Sequence, residues 1–364
     1  MIISIIDPIQ STWIFSLILA AVLLISIKPR KIGEWFPSSL TTELKGVAIL
    51  MIVLSHIGYF LVSDTRFLWP LSIAAGVGVN LFLLLSGFGL TASNLQKELK
   101  PGQFYKKRLW KLFPPFWLAL AVFLAADFFI LGKAYSLGYV IKAIFGIITH
   151  ADLYLDINSP LWYFTFILFY YLLFPLVFSK KRPWLSAIIL FIAGETLVRL
   201  QPAFLNDVMH LYKVHTIAFP LGVLAAGLIP KLPSAAILER LARGWRAIGY
   251  YLVMIGLIVL FIYTAINSGV GGSALTEQMI SMITVLAIIL IFVMKKAEFR
   301  LFSIFGLYSY EIYLWHWPLM YRYNIFYGHM PDWLATILYL ALFIGVGWAS
   351  QKVIGSLNRP KKTA

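Results

Sequence analysis

Long runs of apolar residues recur along the whole chain, with short polar connections between them. An apolar run of about 17 to 22 residues, wound into an α-helix, is long enough to cross the hydrocarbon layer of a bilayer. The pattern predicts eleven such spans, at residues 11–27, 44–62, 71–92, 113–131, 161–178, 184–200, 214–229, 247–267, 277–294, 303–320 and 333–350. We therefore expect an all-α, polytopic integral membrane helix bundle with about 10 to 11 transmembrane helices.

Composition supports this fold class, since 61% of the 364 residues are hydrophobic, only 12% are charged and the mean hydropathy is +0.86. An ordinary soluble domain carries about 25% charged residues. We expect residues 1–43 to form an additional N-terminal transmembrane helix with a cytoplasmic linker, residues 44–350 one membrane domain, and residues 351–364 a basic cytoplasmic tail. Because the chain has no cysteine, disulfides and cysteine-ligated metal sites are excluded, and we predict no metal site.

The distribution of the basic residues predicts the topology. Of the 30 lysines and arginines, 24 fall in one set of alternate connections and 6 in the other, namely Arg66, Lys133, Lys142, Arg199, Lys213 and Arg322. Such asymmetry is typical of the positive-inside rule, so we expect a multi-pass protein of the plasma (inner) membrane with its N-terminus outside and its C-terminus in the cytoplasm. The net charge of +15 is then topological and does not indicate a nucleic-acid partner.

One outer connection is unusual because its residues 135–148 are largely apolar. The segment is interfacial or re-entrant on this pattern, and it is not assigned as a span. A further span here would reverse the charge count for every later connection.

The stretch 43–56, ELKGVAILMIVLSH, combines ionisable groups with an apolar helical pattern. Lys45 and His56 are eleven residues apart, so they project from one helix face roughly 16 Å from each other. If Lys45 lies at a membrane surface, His56 lies near the middle of the bilayer, where an ionisable side chain indicates function. His56 is either a general base for a hydroxyl or a histidine hydrogen-bonded within the bundle.

A second stretch, FYKKRLWKLFPPFW at 104–117, places Arg108 and Lys111 one helical turn apart. We expect this helix to end at Phe113, because Pro114 and Pro115 break the turn. A guanidinium and an ammonium group at the cytoplasmic face suit phosphate binding. The alternative is an ordinary positive-inside loop in contact with lipid headgroups.

Two further stretches carry candidate polar groups. In GVGVNLFLLLSGFGL at 76–90, the small residues favour close helix packing, and Asn80 could hydrogen-bond a partner within the bundle. In SYEIYLWHWP at 309–318, Glu311 lies at a depth close to that of His56 and could orient or pair with it. His316 lies further out on this pattern, either as an anchor in an aromatic belt or as an acceptor contact. The histidines at 150, 210, 215 and 329 lack metal-ligand spacing, and we expect surface roles for them.

These motifs, together with SGF at 86–88 and SPLWYF at 159–164, occur in the order seen in the membrane-bound acyltransferase 3 family, which the chain resembles from residue 43 to about residue 350. The most specific element is a basic residue, ten intervening positions and a histidine, here Lys45 and His56. The resemblance implies an O-acyltransferase that takes an acyl group, here an acetyl group, from cytoplasmic acyl-CoA. The acceptor would be a hydroxyl of a carbohydrate or glycolipid in the cell envelope, and no cofactor would be bound permanently.

The resemblance also implies roles for individual residues. Lys45, Arg108 and Lys111 would bind the CoA phosphates. His56 would act as general base or form an acyl-histidine, with Glu311 beside it. Asn80, or a tyrosine, would stabilise the oxyanion, and Asn80, His316 and Trp162 would contact the substrate within the surrounding lipid.

The chain departs from the family pattern at two positions. Many members have a glutamate five residues after the tryptophan of the SPLW-type motif, where this chain has Ile167, and an aspartate where it has Asn80. It is therefore similar to the single-domain branch with an LWYF-type segment.

A transporter of a glycan or lipid-linked precursor is the alternative function, since a bundle of this size with a few buried charges also describes carriers. Carriers often have repeated halves, and the two halves of this chain share no motifs by eye. Cleavage of an acyl-CoA that depends on His56 would separate the two functions.

Overall fold

The computed structural model describes residues 2–30, 32–269 and 272–357. Helices dominate it, and they are α1 (Pro8–Ile25), α2 (Ser38–Ser55), α3 (Ala75–Gln96), α4 (Pro101–Leu131), α5 (Leu137–Ile144), α6 (Trp162–Val177), α7 (Pro183–Leu200), α8 (Asn206–Tyr212), α9 (Ala218–Leu228), α10 (Ala236–Leu241), α11 (Arg246–Ile266), α12 (Ala274–Met294), α13 (Arg300–Leu307), α14 (Ser309–Tyr321) and α15 (Asp332–Leu357). Two short strands, β1 (Ile27–Pro29) and β2 (Ala297–Phe299), pair antiparallel.

The predicted all-α polytopic membrane bundle is confirmed. Within the described residues, nine helical segments are long and apolar enough to cross a membrane: α1, α2 with its extension to Leu61, α3, α4, α6 with the turn before it, α7, α11, α12 and α15. Two predicted spans differ. Residues 214–229 contain only the eleven-residue α9, and residues 303–320 are divided between α13 and α14, which are separated by Tyr308.

Helix α2 lies at the centre of the bundle. Its Leu44, Val47 and Ala48 pack into one apolar core with α3, α6, α9 and α12. Its Leu50 and Val53 pack into a second core with α4, α14 and α15. Since opposite faces of α2 join the two cores, the position of this helix depends on both.

Glycines set the closest approaches between helices. A Cβ atom on Gly46 of α2 would lie 1.8 Å from the carbonyl oxygen of Phe302, and one on Gly306 would lie 1.8 Å from that of Thr42. At the crossing of α3 and α9, a Cβ atom on Gly87 would lie 2.2 Å from the carbonyl oxygen of Phe219. Small residues permit such backbone contacts between membrane helices.

The glycines of 76–90 therefore divide into two groups. Gly78 and Gly87 lie at helix crossings, as the packing interpretation predicts. Gly89 has no neighbour within 4 Å of an added Cβ atom, and Gly76 has only an atom of His215 at 3.9 Å. These two glycines instead line a cavity, described below.

The prediction that a helix ends at Phe113 is wrong, because α4 runs through Pro114 and Pro115 to Leu131. A proline removes one backbone hydrogen bond and crowds the preceding turn, but neighbouring helices can satisfy the freed groups inside a membrane protein. The two prolines free the carbonyl oxygens of Trp110 and Lys111, four residues before them. Beside these groups, the Tyr310 hydroxyl of α14 donates to the carbonyl oxygen of Leu112 at 2.7 Å, so α14 contacts α4 at this turn.

The unassigned segment 135–148 contains α5, which has eight residues and is too short to span. A buried polar cluster connects the start of this segment to the bundle. Asp127 of α4 accepts hydrogen bonds from Tyr135 at 2.5 Å and Tyr323 at 2.6 Å, and Arg322 forms an ion pair with it. Both oxygens of the Asp127 carboxylate are therefore paired.

A second buried ion pair joins the start of α2 to the end of α12. Lys295 Nζ lies 2.6 Å from Glu43 Oε1, which also accepts from the Phe299 backbone N–H at 2.7 Å. The predicted basic tail at 351–364 begins inside α15, which continues to Leu357, and the remaining residues 358–364 lie outside the described part of the chain.

We predict that Gly87→Ala destabilises the protein, because the added methyl group overlaps the Phe219 carbonyl. Overpacking costs roughly 1–3 kcal/mol, more than the helix propensity that alanine gains over glycine, about 1 kcal/mol. Gly89→Ala, two residues along the same helix, is the matched control and should be neutral or stabilising. Thermal unfolding of the two purified variants in detergent checks this. Equal melting temperatures would contradict the close crossing of α3 and α9.

Candidate active site

A cavity of about 1530 Å³ lies inside the bundle, with walls from α2, α3, α4, α6, α14 and α15. Ligand pockets commonly measure about 300–1,000 Å³, so this one has room for more than a single small ligand. Lys45, Arg108 and Lys111 line one part of it, here called the basic end. Trp162 and His215, whose rings stack on each other, line another part, here called the aromatic end. His56 also lines this cavity.

The basic end carries cations without partners. In the described part of the chain, none of Lys45, Arg108 and Lys111 forms a salt bridge. The carboxylate in this part of the wall is Glu311, which acts electrostatically on Lys111. Three cations against one carboxylate leave an excess of positive charge, which suits a polyanionic ligand such as a chain of phosphates.

His56 lies where the helix changes its winding. Helix α2 ends at Ser55, and residues His56–Leu61 continue it as one π-helical stretch. Such wide turns are rare and occur frequently at functional sites.

The imidazole of His56 is hydrogen-bonded to that of His316, which is fully buried. His56 Nδ1 lies 2.7 Å from His316 Nε2, and the two rings are almost coplanar, with an angle of 2° between their planes and 5.0 Å between their centroids. The rings thus meet edge to edge, which is the geometry of a direct N–H···N bond.

The surrounding backbone determines which nitrogen donates. His316 Nδ1 lies 3.0 Å from the carbonyl oxygen of Ile312 and 2.9 Å from that of Tyr313. Carbonyl oxygens only accept, so Nδ1 of His316 carries a proton and donates. In the neutral ring, Nε2 of His316 then accepts from Nδ1–H of His56. This arrangement leaves the Nε2 lone pair of His56 available to a substrate in the cavity.

Two sequence interpretations change as a result. His316 is neither in an exposed aromatic belt nor in contact with a ligand, because it is fully buried, does not line the cavity and uses both nitrogens within the protein. Glu311 lines the cavity, but in the described structure His56 hydrogen-bonds His316 and not Glu311. Similar depth in the bundle did not bring Glu311 to the imidazole, since its neighbour is Lys111.

Ser55 is a polar group that no sequence pattern singled out. It precedes His56, lines the cavity and is 1% exposed. Its hydroxyl has no hydrogen-bond partner among the described residues. A buried hydroxyl without a partner is costly, so a ligand group that accepts a hydrogen bond here would satisfy it.

The aromatic end is built around His215, for which the sequence predicted a surface role. His215 is instead 4% exposed, and its ring stacks on Trp162 with 5.5 Å between centroids and 18° between planes. Asn80 Oδ1 accepts from His215 Nδ1 at 2.8 Å, while Asn80 Nδ2 donates to Ser281 Oγ at 2.7 Å. The sequence missed this histidine, although an amide such as Asn80 inside a membrane span signals a buried polar partner.

Asn80 therefore does not line the cavity and is not free to stabilise an oxyanion, because its carboxamide is bound to His215 and Ser281. It orients His215 from behind the wall. Trp162 does line the cavity, and so does Ile167, which replaces the glutamate of many family members. In the described residues, no group of three or more His, Asp or Glu side chains is arranged to hold a metal ion.

Comparison with known proteins identifies the class of chemistry. A family model described as an acyltransferase domain, acyltransferase 3, matches residues 44–351. Neither the curated proteins nor the solved structures gave a match. The matched residues run from α2 to α15 and include every charged side chain of the cavity wall as well as both histidines of the pair. Because this match covers most of the chain, the chain belongs to the acyltransferase 3 family and is a membrane acyltransferase.

Proposed function

We propose that the protein transfers an acetyl group from acetyl-CoA to a hydroxyl of a cell-envelope carbohydrate. One observation carries the proposal: a single cavity is lined by unpaired cations, by a histidine with a free lone pair and by an aromatic platform. Membership in an acyltransferase family favours this enzyme over a carrier of glycans.

Acetyl-CoA would enter at the basic end. Its phosphates would bind Lys45, Arg108 and Lys111, since charge-assisted hydrogen bonds to phosphate are about twice as strong as neutral ones. Lys45 and His56 are separated by about 16 Å along the helix, so the flexible arm of CoA would extend along α2 and bring the thioester to the imidazole. Glu311, beside Lys111, would position the donor at this end.

His56 would act as the general base. The acceptor hydroxyl gives its proton to His56 Nε2 while its oxygen attacks the thioester carbonyl carbon. The new C–O bond forms, the C–S bond breaks, and the proton on Nε2 passes to the departing sulfur to give the free thiol of CoA. His316 is a positioning residue, because its Nε2 accepts from His56 Nδ1–H and stabilises the imidazolium that forms.

Ser55 would stabilise the oxyanion. A negative charge develops on the thioester oxygen during attack, and a donor already in place is more effective than one that must reorganise. The Ser55 hydroxyl adjoins the base and has no partner among the described residues. It takes the role that Asn80 cannot fill.

The orientation of the protein follows from the charge distribution. Counted with α9 and the α13–α14 pair each crossing the membrane, 24 of the 30 lysines and arginines fall in one set of connections. On that topology the protein would lie in the plasma membrane with its N-terminus outside and its C-terminus in the cytoplasm. The basic end would then open toward cytoplasmic acetyl-CoA.

The histidine pair gives the first test of this proposal. His56→Ala should lower kcat about 100- to 10,000-fold, the usual contribution of a general base. His316→Leu, which removes the acceptor, should lower kcat at least about 10-fold with an unchanged KM for acetyl-CoA, and His316→Gln should recover part of the loss through its side-chain oxygen. Release of the CoA thiol measures the rate without background, because the protein has no cysteine. Wild-type rates in all three variants would refute the proposed roles of His56 and His316 in the transfer.

The basic end is tested by removing the donor phosphates. Wild-type protein should prefer acetyl-CoA to acetyl-pantetheine, and Arg108→Ala or Lys111→Ala should raise the KM for acetyl-CoA about 10-fold, because each lost charged contact is worth roughly 1.5–3 kcal/mol. The KM for acetyl-pantetheine should not change. Lys106→Ala, on the same helix but not in the cavity wall, is the matched control. An equal effect of all three substitutions would indicate general surface charge and not a site.

Ser55→Ala should lower kcat and leave the KM for acetyl-CoA unchanged, because the oxyanion exists only in the transition state. Loss of one such donor costs about 100- to 1,000-fold in kcat, and Ser55→Thr, which retains a hydroxyl, should keep more activity than the alanine variant. Steady-state kinetics of thiol release would measure both. An alanine variant with wild-type kcat would remove Ser55 from the mechanism.

A further inference from the structure

We propose that the aromatic end is the acceptor subsite and that it selects an uncharged pyranose ring, with Trp162 as the platform and Glu277 as the group that excludes anionic sugars. This inference rests on the proposed function and names the substrate class for the same cavity. Acidic sugars and phosphorylated rings would bind this subsite weakly.

Two polar groups of this subsite are hydrogen-bond acceptors, Glu277 and His215. Glu277 belongs to it because Ser281, one turn further along α12, hydrogen-bonds Asn80, which hydrogen-bonds His215. Glu277 lines the wall and has no salt-bridge partner among the described residues. Because His215 donates through Nδ1 to Asn80, its Nε2 is an acceptor. Ionised carboxylates and an unprotonated imidazole nitrogen can only accept, so they require a ligand rich in donors. A ring with several hydroxyl groups meets this requirement.

The apolar groups of the subsite match the other face of a sugar ring. Trp162 stacks on His215 and lies near Tyr212, with 6.0 Å between the ring centroids of Trp162 and Tyr212. The stacked contact with His215 and the tilted contact with Tyr212 together hold the indole in one orientation. A flat aromatic face and the C–H face of a pyranose gain dispersion energy and bury apolar area together.

The charge of the subsite is opposite to that of the basic end. Of the charged side chains in the described cavity wall, the three cations lie at the basic end, and Glu277 is the charge at the aromatic end. An anionic sugar at the aromatic end would face a carboxylate with no cation in the wall to offset it. In a site of low dielectric constant, like charges within several ångströms cost more than they do in water. The polyanionic donor would therefore bind at the basic end and the uncharged acceptor at the aromatic end.

The test compares two acceptor analogues that differ only in charge. The methyl glycosides of glucuronamide and of glucuronic acid both lack the sixth hydroxyl, and only the second carries a carboxylate. Each is titrated as a competitor of transfer from acetyl-CoA to methyl glucoside, followed by thiol release. We expect the amide to compete at a concentration at least 10-fold lower than the acid with wild-type protein, and the difference to disappear in Glu277→Gln.

The platform is tested in the same assay. Trp162→Ala should raise the KM for methyl glucoside at least about 10-fold without changing the KM for acetyl-CoA, whereas Trp184→Ala, an exposed tryptophan outside the cavity wall, should change neither. Equal competition by the acid and the amide in wild-type protein would overturn the role of Glu277. A Trp162→Ala variant with a changed KM for acetyl-CoA alone would overturn the platform.

Two remaining outcomes separate this inference from the proposed function. If methyl glucoside does not accelerate thiol release, while slow hydrolysis of acetyl-CoA still depends on His56, the acceptor subsite is wrong and the donor half of the proposed function stands. If the protein neither binds nor cleaves acetyl-CoA, the proposed function itself is wrong.

Discussion

The hydrogen bond between His56 and His316 depends on how closely α2 approaches the paired helices α13 and α14. That approach is set at Gly46 and Gly306, where either Cβ atom would overlap a backbone carbonyl of the other helix. Any side chain at these two positions would push the helices apart and lengthen the 2.7 Å bond between the imidazoles. The distance between the two imidazoles is therefore fixed by backbone contacts about three helical turns away from them.

The buried ionisable groups fall into two classes, those that form salt bridges within the described structure and those that do not. Asp127 and Arg322, like Glu43 and Lys295, are paired and tie connections to the bundle. Lys45, Arg108 and Lys111 are left without salt-bridge partners in the described structure, and all three line the cavity. Since a charge within a bundle is costly without compensation, this unpaired group of cations is the place where we propose that the donor phosphates bind.

Sequence reasoning was accurate where a single helix determines the geometry. The eleven-residue spacing of Lys45 and His56 placed both in one cavity wall, because α2 is regular between them. It failed where two helices must meet. The partner of His56 is 260 positions away, and the break at Tyr308 rotates α14 in a way that helical rise alone does not predict. His215 was missed for a similar reason, since its burial depends on α3 and α6, which pack around a short α9.

The choice of histidine at position 316 also affects how the protein enters the membrane. An aspartate could accept the same hydrogen bond from His56, but an ionised aspartate at the centre of a membrane helix costs about 2.5–3.5 kcal/mol during insertion. Helix α14 is only 13 residues long and already contains Glu311. The free energy that favours its insertion into the membrane is therefore small. A neutral imidazole provides the acceptor atom without adding a second formal charge to α14. Both α2 and α14 can therefore partition into lipid before the two helices meet and the histidine pair forms.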